Sequence, residues 1–204
     1  MTVRVVSEPT AEPITLAEAK AHLVIDSDVT ADDTYISALI TMAREYAEAI
    51  TRRAFVQRTF ELLAPSFECY EFELPYPPLQ SVSHVKYLDS DGVLQTVSAA
   101  DYQVDIYRAP GRVKPAYLES WPTVVRGDYN AVQIRYVAGY LPSGSPDSDA
   151  DYAANIPEKL KQWMKIRIAG FYETRTPIIT GTIVNTIPRD YVDGLLDSLC
   201  VDLF

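Results

Sequence analysis

Cysteine, histidine and glycine are scarce in this chain of 204 residues, and each shortage excludes a class of function. Cys69 and Cys200 lie far apart without a Cys-x-x-Cys partner, which argues against a disulfide framework or a zinc site and favours a reducing cytoplasm. The two histidines, His22 and His84, are also far apart in the sequence, so Ser-His or Cys-His catalysis has little basis. No glycine-rich phosphate loop is present. The sequence therefore predicts a protein that is not an enzyme and uses no metal or other cofactor.

Positive charge and long apolar runs are also lacking. The chain has 18 Lys and Arg against 28 Asp and Glu, and its net charge of −10 is spread along the sequence. Without a basic patch, sequence-specific DNA binding is excluded, although DNA could slide past such a surface without sticking. No stretch approaches the roughly 18 apolar residues that a membrane-spanning helix needs. We therefore expect no membrane contact.

Residues 26–33 form an acidic run that at first resembles a calcium loop. An EF-hand requires Gly at loop position 6 and Glu at position 12, where this chain has Ala31 and Ser37. The run is better interpreted as a loop followed by the acidic first turn of a helix, where carboxylates complement the helix dipole.

Two pairs of carboxylates are spaced along strand-like segments, Glu71 with Glu73 and Asp101 with Asp105. A glycosidase needs two carboxylates that face each other across a cleft, and neighbours on one strand do not meet that need by themselves. A β-rich carbohydrate-binding or hydrolytic module would need one of these carboxylates beside an exposed aromatic such as Trp121. It stays an alternative to a structural role.

The period of the apolar residues changes twice along the chain. A stripe at three- and four-residue steps predicts a long helix near 32–53, and a second helix is predicted near 156–172. Between them, alternation predicts strands at 55–63, 69–74, 82–88, 93–97, 102–107, 112–117 and 131–137. The sequence thus predicts an α+β fold in which residues 1–54 and 142–204 form a helical bundle core and residues 55–141 form an inserted antiparallel β domain. Residues 139–152 are interpreted as a linker.

The last segment, residues 188–204, is predicted to be an amphipathic helix. Its apolar side either docks on another protein or packs back on the helix near 36–50, and both interpretations remain open at this point. Under the docking interpretation, the candidate contacts with another protein or an adjacent subunit are Pro188, Arg189, Tyr191, Val192, Leu195, Leu196, Leu199 and Leu203.

The helix near 156–172 is the most basic element of this acidic chain. Lys159, Lys161 and Lys165 are candidate contacts with an acidic neighbouring subunit. A solvated helix face is the alternative interpretation.

An ordered series of short segments resembles the head–tail connector (adaptor) proteins of long-tailed double-stranded DNA bacteriophages, prophages and gene-transfer agents. The series spans nearly the whole chain, and no single piece is diagnostic. Its members are residues 14–23 (ITLAEAKAHL), 43–53 (AREYAEAITRR), 77–82 (PPLQSV), 85–92 (VKYLDSDG), 136–140 (YVAGY), 156–162 (IPEKLKQ), 171–175 (FYETR) and the terminal 187–196.

The resemblance implies a structural protein of the virion neck that is made in the bacterial host cytoplasm. It implies a ring, a dodecamer in the particle, that lies under the portal vertex. Its partners would be the portal protein, other copies of itself and a stopper or tail-completion protein. Double-stranded DNA would pass through the lumen without sequence-specific binding. A different neck role, such as that of the stopper itself, remains the alternative.

Overall fold

The computed structural model describes residues 1–67, 69–122, 128–174 and 192–201. The fold is mixed α+β with antiparallel sheets, as the sequence predicted. The chain divides into two compact units. The β unit comprises Met1–Pro9 and Val56–Tyr140, and the helical unit comprises Thr10–Phe55 and Leu141–Phe204.

The β unit contains a five-stranded and a three-stranded antiparallel sheet. The larger sheet has the order β1-β2-β8-β4-β5 and the smaller has the order β3-β7-β6. The strands are β1 (Thr2–Ser7), β2 (Arg58–Ala64), β3 (Phe72–Leu74), β4 (Leu79–Leu88), β5 (Leu94–Val97), β6 (Tyr102–Asp105), β7 (Gly111–Pro115) and β8 (Val132–Ala138). All seven strands predicted from alternation are present, with ends shifted by a few residues.

Aromatic side chains form much of the core of the β unit. Phe67 stacks on Trp121 at 4.9 Å between ring centroids, and it meets Phe72 of β3 and Tyr87 of β4 edge-on. Gly111 lies where a Cβ atom would be 2.5 Å from the Leu79 side chain, so only glycine allows this close approach.

Strand β1 was not predicted, and it changes the boundary between the units. The sequence assigned residues 1–54 to the helical part, but Thr2–Ser7 pairs antiparallel with β2, with Thr2 opposite Leu63 and Val5 opposite Phe60. Residues 1–9 therefore belong to the β unit. The physical reason is that β2 would otherwise lie at the sheet edge with unpaired backbone groups.

The helical unit begins with two helices whose ends follow from local sequence. Helix α1 (Leu16–His22) starts at a capping box in which Thr15 and Glu18 bind each other's backbone N–H groups, as predicted. Helix α2 (Asp33–Thr51) matches the long predicted helix, and it ends where Arg52 adopts a left-handed conformation. Its buried side chains, including Ile36, recur at three- and four-residue steps.

Three further helices complete the described part of this unit: α3 (Asp149–Asn155), α4 (Glu158–Glu173) and α5 (Gly194–Asp197). Helix α4 packs on α1, α2 and α5, and α5 also packs on α2. Helix α3 lies partly in the segment interpreted as a linker. It forms because Ser148 caps it by accepting the N–H of Asp151, and because its first-turn acids complement the dipole.

A buried chain of charges ties α2 to the segments before and after it. The Arg44 guanidinium binds Glu12 at 2.8 Å and Glu48 at 3.0 Å, and Glu48 accepts the backbone N–H of Phe55 at 2.9 Å. Thr41 also donates to Glu12. Burial outweighs the opposing attraction of Arg44 and raises the pKa of the Glu12 carboxyl.

Candidate assembly surfaces

The C-terminal segment packs against its own unit over the described residues. Leu196 of α5 is fully buried, Val192 and Val201 are nearly so, and α5 contacts both α2 and α4. The backbone N–H of Val201 donates to the Thr51 carbonyl at 3.0 Å. Arg53 donates to the Leu199 carbonyl. These contacts fix residues 192–201 at the end of α2.

Asp193 fastens the start of this segment to α4. Its carboxylate accepts from the Trp163 indole N–H at 3.2 Å and also binds the Arg167 guanidinium. Residues 192–201 therefore do not form an apolar stripe that is exposed for a partner.

The candidate interface residues consequently separate into three groups. Val192 and Leu196 belong to the core of the helical unit. Leu195 and Leu199 are half-buried and keep surface that a partner could cover. The other four candidates lie outside the described residues: Pro188, Arg189, Tyr191 and Leu203.

The three candidate lysines of α4 differ in exposure. Lys159 is exposed and donates to Ser198 at 3.2 Å. Lys161 is buried, donates to the Ala153 carbonyl at 3.0 Å and pairs with Glu158. Lys165 is half-buried and lies 3.8 Å from Glu18. Lys161 therefore stabilises the α3–α4 corner of its own unit, while Lys159 remains the lysine most open to a neighbour.

A shallow apolar cleft of about 160 Å³ lies between α2 and α4, and sequence reasoning did not identify it. Met42, Tyr46 and Phe171 line it and remain 37, 49 and 43% exposed. The Arg167 guanidinium lies over the Tyr46 ring at 5.8 Å. The apolar period assigned Tyr46 to a buried stripe, but Tyr46 lies at the edge of that stripe, where its ring is half exposed.

The carboxylates that a hydrolytic module would use are occupied in structural contacts. Glu71 and Glu73 of the β3 region both bind the Arg112 guanidinium, the latter at 2.7 Å. Asp105 accepts the backbone N–H of Tyr107 in a turn. Trp121 is 8% exposed and donates to the Tyr70 carbonyl, so it offers no platform for a sugar ring.

Asp101 precedes β6, and Asp105 at its end lies across Arg112 of β7 from Glu73 of β3 in the strand register of the described residues. Among those residues there is also no group of three or more His, Cys, Asp or Glu side chains placed to hold a metal ion.

The acidic loop before α2 is organised by a lysine. The Lys20 ammonium donates to the carbonyls of Ser27 and Val29 at 3.1 and 2.7 Å and to the Asp33 carboxylate at 2.9 Å. An internal ammonium group thus lies among the oxygen atoms that a cation would otherwise attract. Lys20 therefore supplies the positive charge that balances this acidic loop, which lacks the calcium-loop pattern.

Glu61 of β2 is the second buried charge that sequence reasoning missed. It is fully buried, yet it accepts hydrogen bonds from Arg4 on β1 at 2.8 Å and from Arg135 on β8 at 2.8 and 3.1 Å. Burial by itself would raise the pKa of Glu61, but these hydrogen bonds outweigh it and lower the pKa. The arginines lie 57 and 74 residues away in sequence, so no local signal could have revealed them.

Comparison with known proteins also indicates a structural role. Residues 13–100 match the family model of the Phage gp6-like head-tail connector protein. This likeness to the head-tail connector family covers less than half of the chain. No curated protein matches the sequence significantly.

Solved structures resemble the whole chain. A chain from the neck of an empty gene transfer agent particle, computed with C6 symmetry, has a TM-score of 0.77 and 22% identity. A chain from the virion of a native gene transfer agent particle has a TM-score of 0.75 and 20% identity. A chain from a native neck computed with C12 symmetry has a TM-score of 0.68 and 23% identity. Each comparison covers 100% of this chain and 98% of the other. These likenesses establish the fold.

None of the described helices is both long enough and apolar enough to cross a membrane.

Proposed function

We propose that this protein is a non-enzymatic head–tail connector that forms a ring in the neck of a phage-like particle. The observation that carries the proposal is the likeness of residues 13–100 to the head-tail connector family, together with a fold that matches neck chains over its whole length. The ring would contain about twelve copies, in keeping with the C12 symmetry of one of the matched necks. It would join the portal to the tail and let DNA pass through its centre.

The helical unit would act as a helical bundle core that walls the ring. Its helices α1, α2 and α4 pack on one another, and the buried charge chain of Glu12, Arg44 and Glu48 fixes α2 against the segments around it. A rigid wall suits a ring that must keep its diameter while DNA moves. The net charge of −10 favours passage of DNA over retention.

The portal protein on one side and a stopper or tail-completion protein on the other are the proposed partners. Within the C-terminal segment, Leu195 and Leu199 keep exposed surface, and Lys159 lies beside Ser198 on the same side of the unit. We assign these three side chains to the contact with the portal or an adjacent subunit. Val192 and Leu196 support that contact from below by holding the segment in place.

Deletion of the gene in a particle-producing strain tests the function. The expected result is DNA-filled heads without tails, with tails restored when the full-length chain is supplied. A reconstruction of the neck should then show the chain in a closed ring next to the portal. Normal tailed particles in the deletion strain would contradict the proposal. A ring separated from the portal by another protein would instead favour the stopper role.

A further inference from the structure

One face of the five-stranded sheet carries a row of cationic side chains. The strand register places Arg4 of β1 opposite Glu61 of β2, Glu61 opposite Arg135 of β8, and Arg135 opposite His84 of β4. Partners in an antiparallel pair share a face, and so do residues two apart on a strand, which adds Lys86. We call Arg4, His84, Lys86 and Arg135 the cationic face.

Glu61 organises this face but does not neutralise it. Its single buried carboxylate binds two guanidinium groups, whose side chains remain 59% exposed for Arg4 and 36% exposed for Arg135. Lys86 is half-buried and makes no hydrogen bond or ion pair within the part of the chain that the structure describes. Three permanent cations therefore face one carboxylate. The guanidinium groups are held in place, so they would lose little side-chain entropy on binding a partner.

The charged groups of this face also affect the pKa of the His84 imidazole. Burial lowers the pKa of the His84 imidazole, and the neighbouring charges of Lys86 and Arg135 lower it further against the weaker opposing effect of Glu61. The lowered pKa favours the neutral imidazole, so the fixed charges of the cationic face are those of Arg4, Lys86 and Arg135.

The helical unit of this chain has the complementary charge. It contains ten Lys and Arg against seventeen Asp and Glu, whereas the β unit contains eight against eleven. Asp26 and Asp28 lie in the exposed loop before α2, and neither side chain makes a hydrogen bond or ion pair with the described residues. Asp33, the first residue of α2, is already bound by Lys20.

Apolar side chains flank these two free carboxylates. Val24 is 91% exposed with a φ of 59°, and Val29 is 49% exposed. The left-handed backbone conformation of Val24 is strained for a β-branched residue. The two carboxylates and two valines of this loop match a sheet face whose lysine and arginine side chains offer both cationic groups and aliphatic stems.

We propose that the cationic face of one copy binds the acidic loop at residues 24–29 of a second copy. This inference rests on the proposed ring, in which each subunit has a neighbour on both sides. The contact is heterologous, because two different surfaces meet, and heterologous contacts are those that close into rings. Charge attraction would steer the approach of subunits, and the sheet face would fix their register.

The test uses the full-length chain at high concentration and low salt. An equal mixture of unlabelled and ¹⁵N-labelled protein is treated with a carbodiimide, which joins a lysine amine to a carboxylate in direct contact. We expect mixed-isotope cross-links between Lys86 and Asp26 or Asp28. The absence of any cross-link from Lys86 to a second copy overturns the proposal.

Charge-reversal variants provide the second arm. Lys86→Glu should weaken self-association at least about threefold in sedimentation velocity, since it replaces attraction by repulsion. Lys114→Glu is the matched control, because Lys114 is a half-buried lysine on β7 of the other sheet. Combining Lys86→Glu with Asp28→Lys should restore association. Equal effects of Lys86→Glu and Lys114→Glu, or no restoration by the double variant, contradict the proposed contact.

Two further results separate this inference from the proposed function. A neck reconstruction that shows a ring of this chain with the cationic face free of protein overturns the inference and leaves the function intact. If Lys86→Glu leaves self-association unchanged but weakens binding of duplex DNA, the cationic face binds phosphate groups and the proposed subunit contact is contradicted. Absence of the chain from particle necks contradicts the proposed function itself.

Discussion

Glu48 accepts the backbone N–H of Phe55 at 2.9 Å, seven residues beyond it in the chain. Both groups are buried, and the same carboxylate binds Arg44 one turn earlier on α2. Glu48 therefore satisfies a backbone donor where the chain leaves the helical unit, and it balances a buried guanidinium. One side chain fixes how the helix ends and where the next segment starts.

Removal of this carboxylate should destabilise the protein strongly. Glu48→Ala leaves the Phe55 N–H and part of the Arg44 charge buried without a partner, so we expect a loss of about 2–4 kcal/mol in the free energy of unfolding. Urea denaturation measures it. Glu45→Ala is the control, because Glu45 is 66% exposed and should change stability by less than about 0.5 kcal/mol. Equal losses in both variants would show that Glu48 has no special role.

The C-terminal segment should contribute to the stability of the isolated subunit. Leu196 is fully buried against α2 and α4, so Leu196→Ala should lower the free energy of unfolding by about 2–5 kcal/mol. Asp197→Ala changes the next, exposed residue and should be nearly neutral. Thermal melting of both variants tests this. A Leu196→Ala protein that melts like the wild type would mean that the segment is not part of the subunit's own core.

The pH dependence of stability should report Glu61. Its pKa in the folded state is below the ordinary value of 4.5, so its ionised form stabilises the fold. This stabilisation is fully present above about pH 4.5 and disappears as the pH falls through the folded pKa. Glu61→Gln should therefore be less stable by about 1–3 kcal/mol at pH 7, with a difference that shrinks below pH 4.5.

Urea titrations between pH 3 and pH 7 measure this difference. Glu73→Gln is the control, since Glu73 is 44% exposed and only shares Arg112 with Glu71. A gap between Glu61→Gln and wild type that stays constant across this range would contradict the role given to Glu61.

Local patterns predicted most of the elements, and long-range pairing accounts for most of what they missed. Alternation identified seven strands. Strand β8 is the clearest example, because it buries every second residue from Val132 to Ala138. It missed β1 because five of its six residues are exposed, which leaves no alternation to detect. Helix α3 was missed because a loop-like composition surrounds the Ser148 cap. The partners of Glu61 could not be predicted, because Arg4 and Arg135 come from two other strands that are distant in the sequence.

Lys20 should matter more to the acidic loop than any metal ion. Lys20→Met removes three hydrogen bonds from a buried ammonium and leaves Asp33 unpaired, so we expect a loss of about 2–4 kcal/mol. Chelator should leave the melting temperature of the wild type unchanged, because the ammonium already lies among the loop oxygens. A shift of several degrees on adding calcium to the wild type would contradict this reading of the loop.

Strand β1 determines which piece of this protein could be exchanged between relatives. The β unit is assembled from two stretches, Met1–Pro9 and Val56–Tyr140, that stand on either side of α1 and α2 in the sequence. A transplanted stretch of 56–140 alone would arrive without the strand that covers β2, and its open edge would recruit whatever extended peptide it met. Recombination that preserves the fold must therefore carry both stretches, or keep a host N-terminus able to complete the sheet. Residues 1–9 must therefore be inherited together with a block that begins only at Val56, beyond α1 and α2.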